Sequence, residues 1–232
     1  MSILKNIFSD MLHLFYPHIC TGCGSDLVGK EQMLCLKCIN ELPHTGFAPY
    51  NNNPVEKYFR GRIRFESAHS EFYFSKGSLI QQLIHELKYK DNQSIGVYLA
   101  ELMALSILKS DRFKNIDALV PLPLYADKER MRGYNQASVI CEGLSTILNI
   151  PTLIGNVTRE RFTETQTRKH RAERWTNVFE SFAIRNEREL NGKHVLLVDD
   201  VVTTGATLEA CGTAIVRSGA KVSFATLALA SR

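Results

Sequence analysis

Nowhere do 18 apolar residues follow one another in this chain, so no transmembrane helix is expected. Nor is there a large excess of one charge: the formal net charge is +4, too modest to imply nucleic-acid binding by itself. What excess exists is concentrated, since Thr158–Arg174 carries six Lys and Arg against three Glu. Internal repeats and low-complexity tracts are absent. Near the N-terminus Ile3, Leu4, Ile7, Phe8, Met11, Leu12 and Phe15 recur at helical spacing, interrupted by Asn6, Asp10 and His13, and no small-residue cleavage site follows. A secretory signal is therefore not expected; the pattern is that of a short amphipathic helix that packs on the protein's own body or lies on a membrane surface, and the expected compartment is cytoplasmic. In that reducing compartment cysteines serve as metal ligands or buried thiols, not as disulfides.

What is present suffices for one α/β domain and a small appendage: 232 residues, 44% of them hydrophobic and 22% charged. Four of the six cysteines fall in two pairs, Cys20/Cys23 and Cys35/Cys38, with 11 residues between the pairs. Two thiolates three residues apart on a tight turn face one ion, and two such turns close a tetrahedral Zn²⁺ shell. Gly22 and Gly24 suit the turns, and Lys37 offsets part of the thiolate charge. With all four positions taken by protein, the zinc would be structural. Cys141 and Cys211 lie alone in helical patterns and read as small buried hydrophobes.

Pro43–Pro54 is rich in Pro, Asn and Gly without periodicity, which marks a linker. The expected organisation is an N-terminal helix and zinc-binding module over 1–43, a linker over 44–57 and a larger domain over 58–232. Within that domain the spacing predicts a strand in Ile63–Ser75, a helix after an N-capping Ser78 and another over Gln93–Leu108. A strand over Ile116–Val120, a helix over Gln136–Leu148 and a strand starting at Thr152 follow. Val195–Val198 is a buried strand, Thr207–Ser218 a helix and Val222–Ala230 a last strand. Strands alternating with helices in this way give a doubly wound, mostly parallel α/β sheet.

The most informative segment is Val195-Leu-Leu-Val-Asp199-Asp200-Val201-Val202-Thr203-Thr204-Gly205-Ala206-Thr207. An apolar strand delivers two carboxylates to the carboxyl edge of a parallel sheet, where such folds bind ligands. The Thr/Gly/Ala turn and the helix start behind it offer backbone N–H groups and hydroxyls to one phosphate. It is not a nucleotide P-loop, because the Gly-Lys-Ser/Thr ending is missing. Carboxylates beside a phosphate cup suit a sugar phosphate accompanied by Mg²⁺. Upstream, Val120-Pro-Leu122-Pro-Leu124 closes a strand and is followed by Arg130 and Arg132, whose guanidinium forks fit phosphate oxygens. The basic stretch Arg159–Arg174 is nearly devoid of apolar residues and reads as an exposed, mobile loop able to close over a multiply charged ligand and exclude water.

Asp199–Thr207 resembles the signature with which type I phosphoribosyltransferases bind 5-phosphoribosyl-1-pyrophosphate (PRPP). The wider set of motifs resembles the ComF family of competence-associated proteins: the cysteine pairs, Val120–Leu124, Arg132-Gly-Tyr-Asn-Gln136, Arg159 with Thr163 and Gln166, Arg174-Trp-Thr-Asn177 with Phe179, and Asp199–Thr207. Lys169 stands where that family usually has leucine. The resemblance implies a type I phosphoribosyltransferase fold in which Asp199 and Asp200 hold the ribose hydroxyls and Val201–Thr207 the 5′-phosphate. It also implies that Leu122 and Arg132 bind on the pyrophosphate side, with Arg159 and Gln166 joining the acids as catalytic residues. PRPP with Mg²⁺ is the implied ligand, and single-stranded DNA and the DNA-uptake machinery are the implied partners in natural transformation. Two functional classes remain: a transferase of unidentified acceptor, and a non-catalytic PRPP-sensing or DNA-handling adaptor on the same fold.

Overall fold

The computed structural model describes residues 18–27, 29, 32–160 and 181–230, and three of its four long helices begin at a capping side chain. A short helix α1 (Leu36–Asn40) carries the second cysteine pair's Cys38. After strand β1 (Ala68–Phe74), Ser78 accepts from the Gln81 amide at the start of α2 (Leu79–Tyr89). Asn92 does the same for Ile95 in α3 (Gln93–Leu108). Strand β2 (Ala118–Pro121) leads to α4 (Ala126–Arg132), and Asn135 caps α5 (Gln136–Leu148) through the Ala137 amide. The short strands β3 (Val157–Arg159) and β4 (Phe182–Ile184) pair antiparallel. The chain ends in α6 (Glu187–Leu190), β5 (His194–Val202), α7 (Ala206–Arg217) and β6 (Lys221–Ala230).

Four parallel strands form the main sheet in the order β1-β6-β5-β2. Alternation along β5 sends its residues to two cores. Leu196 and Val198 meet residues of α2, α3 and α5, such as Leu83, Leu99 and Ile140. Val195 and Leu197 join Leu208, Cys211 and Ile215 of α7. Helices on both faces make the sheet doubly wound, as the alternating pattern requires, and Cys141 and Cys211 are fully buried.

Several stretches differ from their sequence expectation. The first strand starts at Ala68, not Ile63, although Glu66 N still donates to Val222 O at 2.9 Å. Thr152 contributes only an isolated bridge to Leu119, and the strand that follows belongs to the small β3–β4 pair. Residues 44–57, expected as a linker, lie against the domain. His44 bridges antiparallel to Phe72, Thr45 N donates to Glu71 O at 2.8 Å, and Tyr73 N donates to Pro43 O at 2.8 Å. Farther on, Val55 is buried, and buried Asn53 donates to Ala68 O at 2.9 Å while accepting from the Val55 and Glu56 amides. Polar side chains that suggest a loop are here the partners of backbone groups that packing removes from water. No helix among the described residues is long and apolar enough to cross a membrane. The expected N-terminal helix, except for its last residues, and the basic segment after Glu160 lie outside the described residues.

Candidate functional site

The sheet's carboxyl edge is stepped. Pro121 of β2 pairs with Val198, and Leu122 N closes the ladder on Val198 O at 2.8 Å. On its other side β5 runs on, with Asp199 opposite Thr226 and Val201 opposite Ala228. The sequence suggests that the strand ends at Val198, because two acids normally announce a turn; continued pairing with β6 carries them as strand residues beyond the reach of β2. They stand where the chain turns away in different directions, toward Leu122–Tyr125 on one side and Thr203–Gly205 on the other. That divergence opens a crevice.

The two carboxyls differ in surroundings. Asp200 is 9% exposed, and Lys88 at the end of α2 places Nζ 2.8 Å from its Oδ2. The Asp199 Oδ1 accepts from the Asp200 amide at 2.8 Å. Burial, and then the neighbouring Asp200 charge, push the Asp199 carboxyl up to about 8, against the opposing pull of that amide, Lys88 and Arg159. Lys88 was not foreseen as a site residue, since a lysine in a helix's last turn is ordinarily explained by the helix dipole. Tyr134, within the Arg132–Gln136 motif, secures that helix end by donating from its hydroxyl to Leu87 O.

Beyond β5 come exposed Thr203 and Thr204, then Gly205 at φ +74° as the N-cap of α7, a residue with no side chain of its own to cap the helix. The left-handed backbone favours glycine, and a Cβ there would lie 3.1 Å from Phe59 Cε1 and 3.2 Å from Tyr58 Cβ. Thr204 Oγ1 accepts from Ala206 N at 3.4 Å. Beneath the loop, Arg62 pairs with buried Glu209 in the first turn of α7 and donates to Thr204 O at 3.3 Å.

Across the crevice Leu122 is buried, and its carbonyl accepts from Asn135 Nδ2 at 3.0 Å, which ties the Val120–Leu124 turn to the start of α5. Arg132 donates to Gln136 Oε1 at 2.7 Å and lies 5.4 Å from the Tyr89 ring centre; its buried Nε has no partner. Arg130, expected on phosphate, instead pairs with Asp127 on the surface. Arg159 at the end of β3 stacks 4.0 Å from the Tyr125 ring centre and 5.1 Å from that of Phe182. It lines, with Pro121, Pro123, Asn135 and Arg185, a cavity of about 280 Å³ behind the turn. Gln166 lies outside the described residues.

The four N-terminal cysteines converge, their Sγ atoms all within 4.8 Å of one another. Cys23 and Cys35 Sγ are 3.6 Å apart, too far for a disulfide and near the roughly 3.8 Å separation that a tetrahedron with ~2.3 Å Zn–S bonds demands. The Cys35 amide donates to Cys20 Sγ at 3.2 Å, and Ser25 draws the Cys23 thiol down to about 6 by hydrogen bonding. A Cβ on Gly22 would sit 2.9 Å from Cys38 Sγ and 2.8 Å from Leu79 Cδ1, so the first knuckle approaches both the second and α2. Gln82 of α2 donates to Thr21 O and Gly22 O at 3.1 and 2.9 Å. A closed set of four sulfur donors of this kind can hold a metal ion such as zinc.

The family model described as "Phosphoribosyl transferase domain" matches residues 135–232, which include both acids and the loop after them. Competence protein F of Haemophilus influenzae is 30% identical over 201 residues, covering 85% of this chain and 83% of the relative. DNA utilization protein YhgH of Escherichia coli is 34% identical over 144 residues, covering 61% of this chain and 63% of the relative. Among solved structures, glutamine PRPP amidotransferase from B. subtilis, complexed with ADP and GMP, superposes with a TM-score of 0.44 at 17% identity, over 62% of this chain and 30% of that one.

Proposed function

From the premise that this chain belongs to the ComF family of phosphoribosyltransferase-like competence proteins, we propose that it binds PRPP with Mg²⁺ in the crevice between β2 and β5 and acts in the handling of DNA during uptake. One observation carries the reading: an acid pair at the end of β5, Asp200 buried and Asp199 partly exposed, runs directly into the N-terminus of α7, whose N-cap is a glycine. Asp199 and Asp200 accept from the ribose 2′- and 3′-hydroxyls. The amides and hydroxyls of Thr203–Thr207 take the 5′-phosphate, favoured by the positive end of the helix dipole. The Leu122 turn and Arg132, whose Nε has no other partner, serve the pyrophosphate side. Mg²⁺ would neutralise pyrophosphate charge as it departs. Arg159 and Gln166 join the acids by match to the family motif, and the Arg159 cation would stabilise the negative charge of the departing pyrophosphate. A zinc ion held by Cys20, Cys23, Cys35 and Cys38 would be structural, since four protein ligands would leave no open coordination position.

Support for the DNA role comes from what the relatives are called, a competence protein and a DNA utilization protein. Single-stranded DNA is the partner proposed. Calorimetric titration of PRPP, with and without Mg²⁺, into the wild type and Asp199→Asn/Asp200→Asn tests the ligand. Magnesium-dependent binding that disappears in the variant is expected; a folded wild type that ignores PRPP overturns the reading. Pyrophosphate release, measured with and without single-stranded DNA, separates a transferase from a PRPP-sensing adaptor.

A further inference from the structure

Glu209 is an acid in the wrong place for a phosphate site. It lies in the first turn of α7, it is 5% exposed, and its charge opposes any anion that the helix N-terminus is to hold. Resting on the PRPP reading above, we infer that Arg62 is a positioning residue that makes the Thr203–Thr207 loop competent for the 5′-phosphate. It does so in two ways. Its guanidinium pairs with Glu209 and cancels the buried charge beneath the loop. The same side chain donates from Nη1 to Thr204 O at 3.3 Å and to Tyr58 O at 2.9 Å. A trans peptide is planar, with its N–H opposite its C=O. Holding the Thr204 carbonyl toward Arg62 therefore turns the Gly205 N–H away from it, into the loop. Tyr58 and Phe59, packed against Gly205, hold that peptide from the same side. Arg62 acts through Glu209 and one loop carbonyl: Nη1 donates to the Tyr58 and Thr204 carbonyls, and Nη2 faces Glu209.

The test uses two partial ligands, ribose 5-phosphate, which needs the loop, and pyrophosphate with Mg²⁺, which does not. Each is titrated into the zinc-loaded wild type, Arg62→Gln, Glu209→Gln and the double variant. Arg62→Gln is expected to weaken ribose 5-phosphate by about tenfold or more while leaving pyrophosphate within about twofold, since hydrogen bonds to charged groups carry effects of that size. Glu209→Gln alone should bind ribose 5-phosphate at least as tightly as the wild type, and adding it to Arg62→Gln should restore much of the loss. Equal losses for both ligands, an unaffected Arg62→Gln, or no restoration in the double variant overturns the inference. Should Arg62→Gln fail to fold, Glu209→Gln still decides, because weaker binding in it contradicts a charge that opposes the phosphate. A wild type that binds neither ribose 5-phosphate nor PRPP removes the reading of the site itself, a different failure.

Discussion

Asp199 is the residue whose environment departs most from its ordinary chemistry in the crevice. Folded, it keeps its proton to about pH 8; unfolded, it releases it near the usual carboxylate value. Between those limits the folded state binds more protons than the unfolded one, so this group makes stability fall as pH rises through that window and level off above it. Replacing Asp199 with Asn removes the penalty. Thermal unfolding of the ligand-free protein from pH 5 to 8 should show a melting-temperature advantage of Asp199→Asn that widens with pH. An advantage that is flat or shrinks with rising pH would show that Asp199 is not held protonated. The same substitution is expected to abolish PRPP binding, so stability and function move in opposite directions at one position.

At the scale of elements, the four-cysteine module and the crevice meet on α2. Its first turns receive the module, through Leu79 beside Gly22 and Gln82 on two knuckle carbonyls, and its last turn delivers Lys88 to Asp200. Eleven residues at ~1.5 Å each put these ends roughly 16 Å apart on one rigid rod. Cys20, Leu34, Cys38 and Leu42 share a single buried cluster with Leu83 and Leu87 of that helix. Removing the metal with a chelator under reducing conditions should therefore increase amide exchange in residues 18–42 and in α2 together, and lower the melting temperature. Confirmed metal loss with unchanged exchange in α2 would mean that the two are uncoupled. The elements themselves were largely legible beforehand. Ser78 announced α2, and the observed bounds of α3 and α5 are those that periodicity gives, because capping and an apolar stripe are local signals. The acid pair and the threonine loop were legible for a similar reason, being consecutive in sequence. Lys88 and Arg62 were not. Each reaches the site from an element more than 100 residues away along the chain, and no local pattern encodes which carboxylate a distant cation will meet. The strand length of β5 was underestimated because its last four residues depend on β6, which alone continues beside them.

For the whole molecule, the covered side of β1 has the largest consequence. A sheet ends somewhere, and its last strand presents unpaired amides and carbonyls to any other extended chain. Here Pro43–Thr45 lie along that rim, and proline, having no N–H, is a poor base on which to add a further strand. A chain beginning at residue 58 would keep the acid pair yet uncover the rim, with half-exposed Tyr73 beside it, and the core surfaces that Leu42 and Val55 cover. Light scattering after size exclusion should find such a truncation self-associating under conditions in which the full chain holds a lower mass; equal masses would show that the rim is harmless. The N-terminal region would then act as a hem as well as a metal site, a finished border that keeps one copy of the sheet from being sewn to the next.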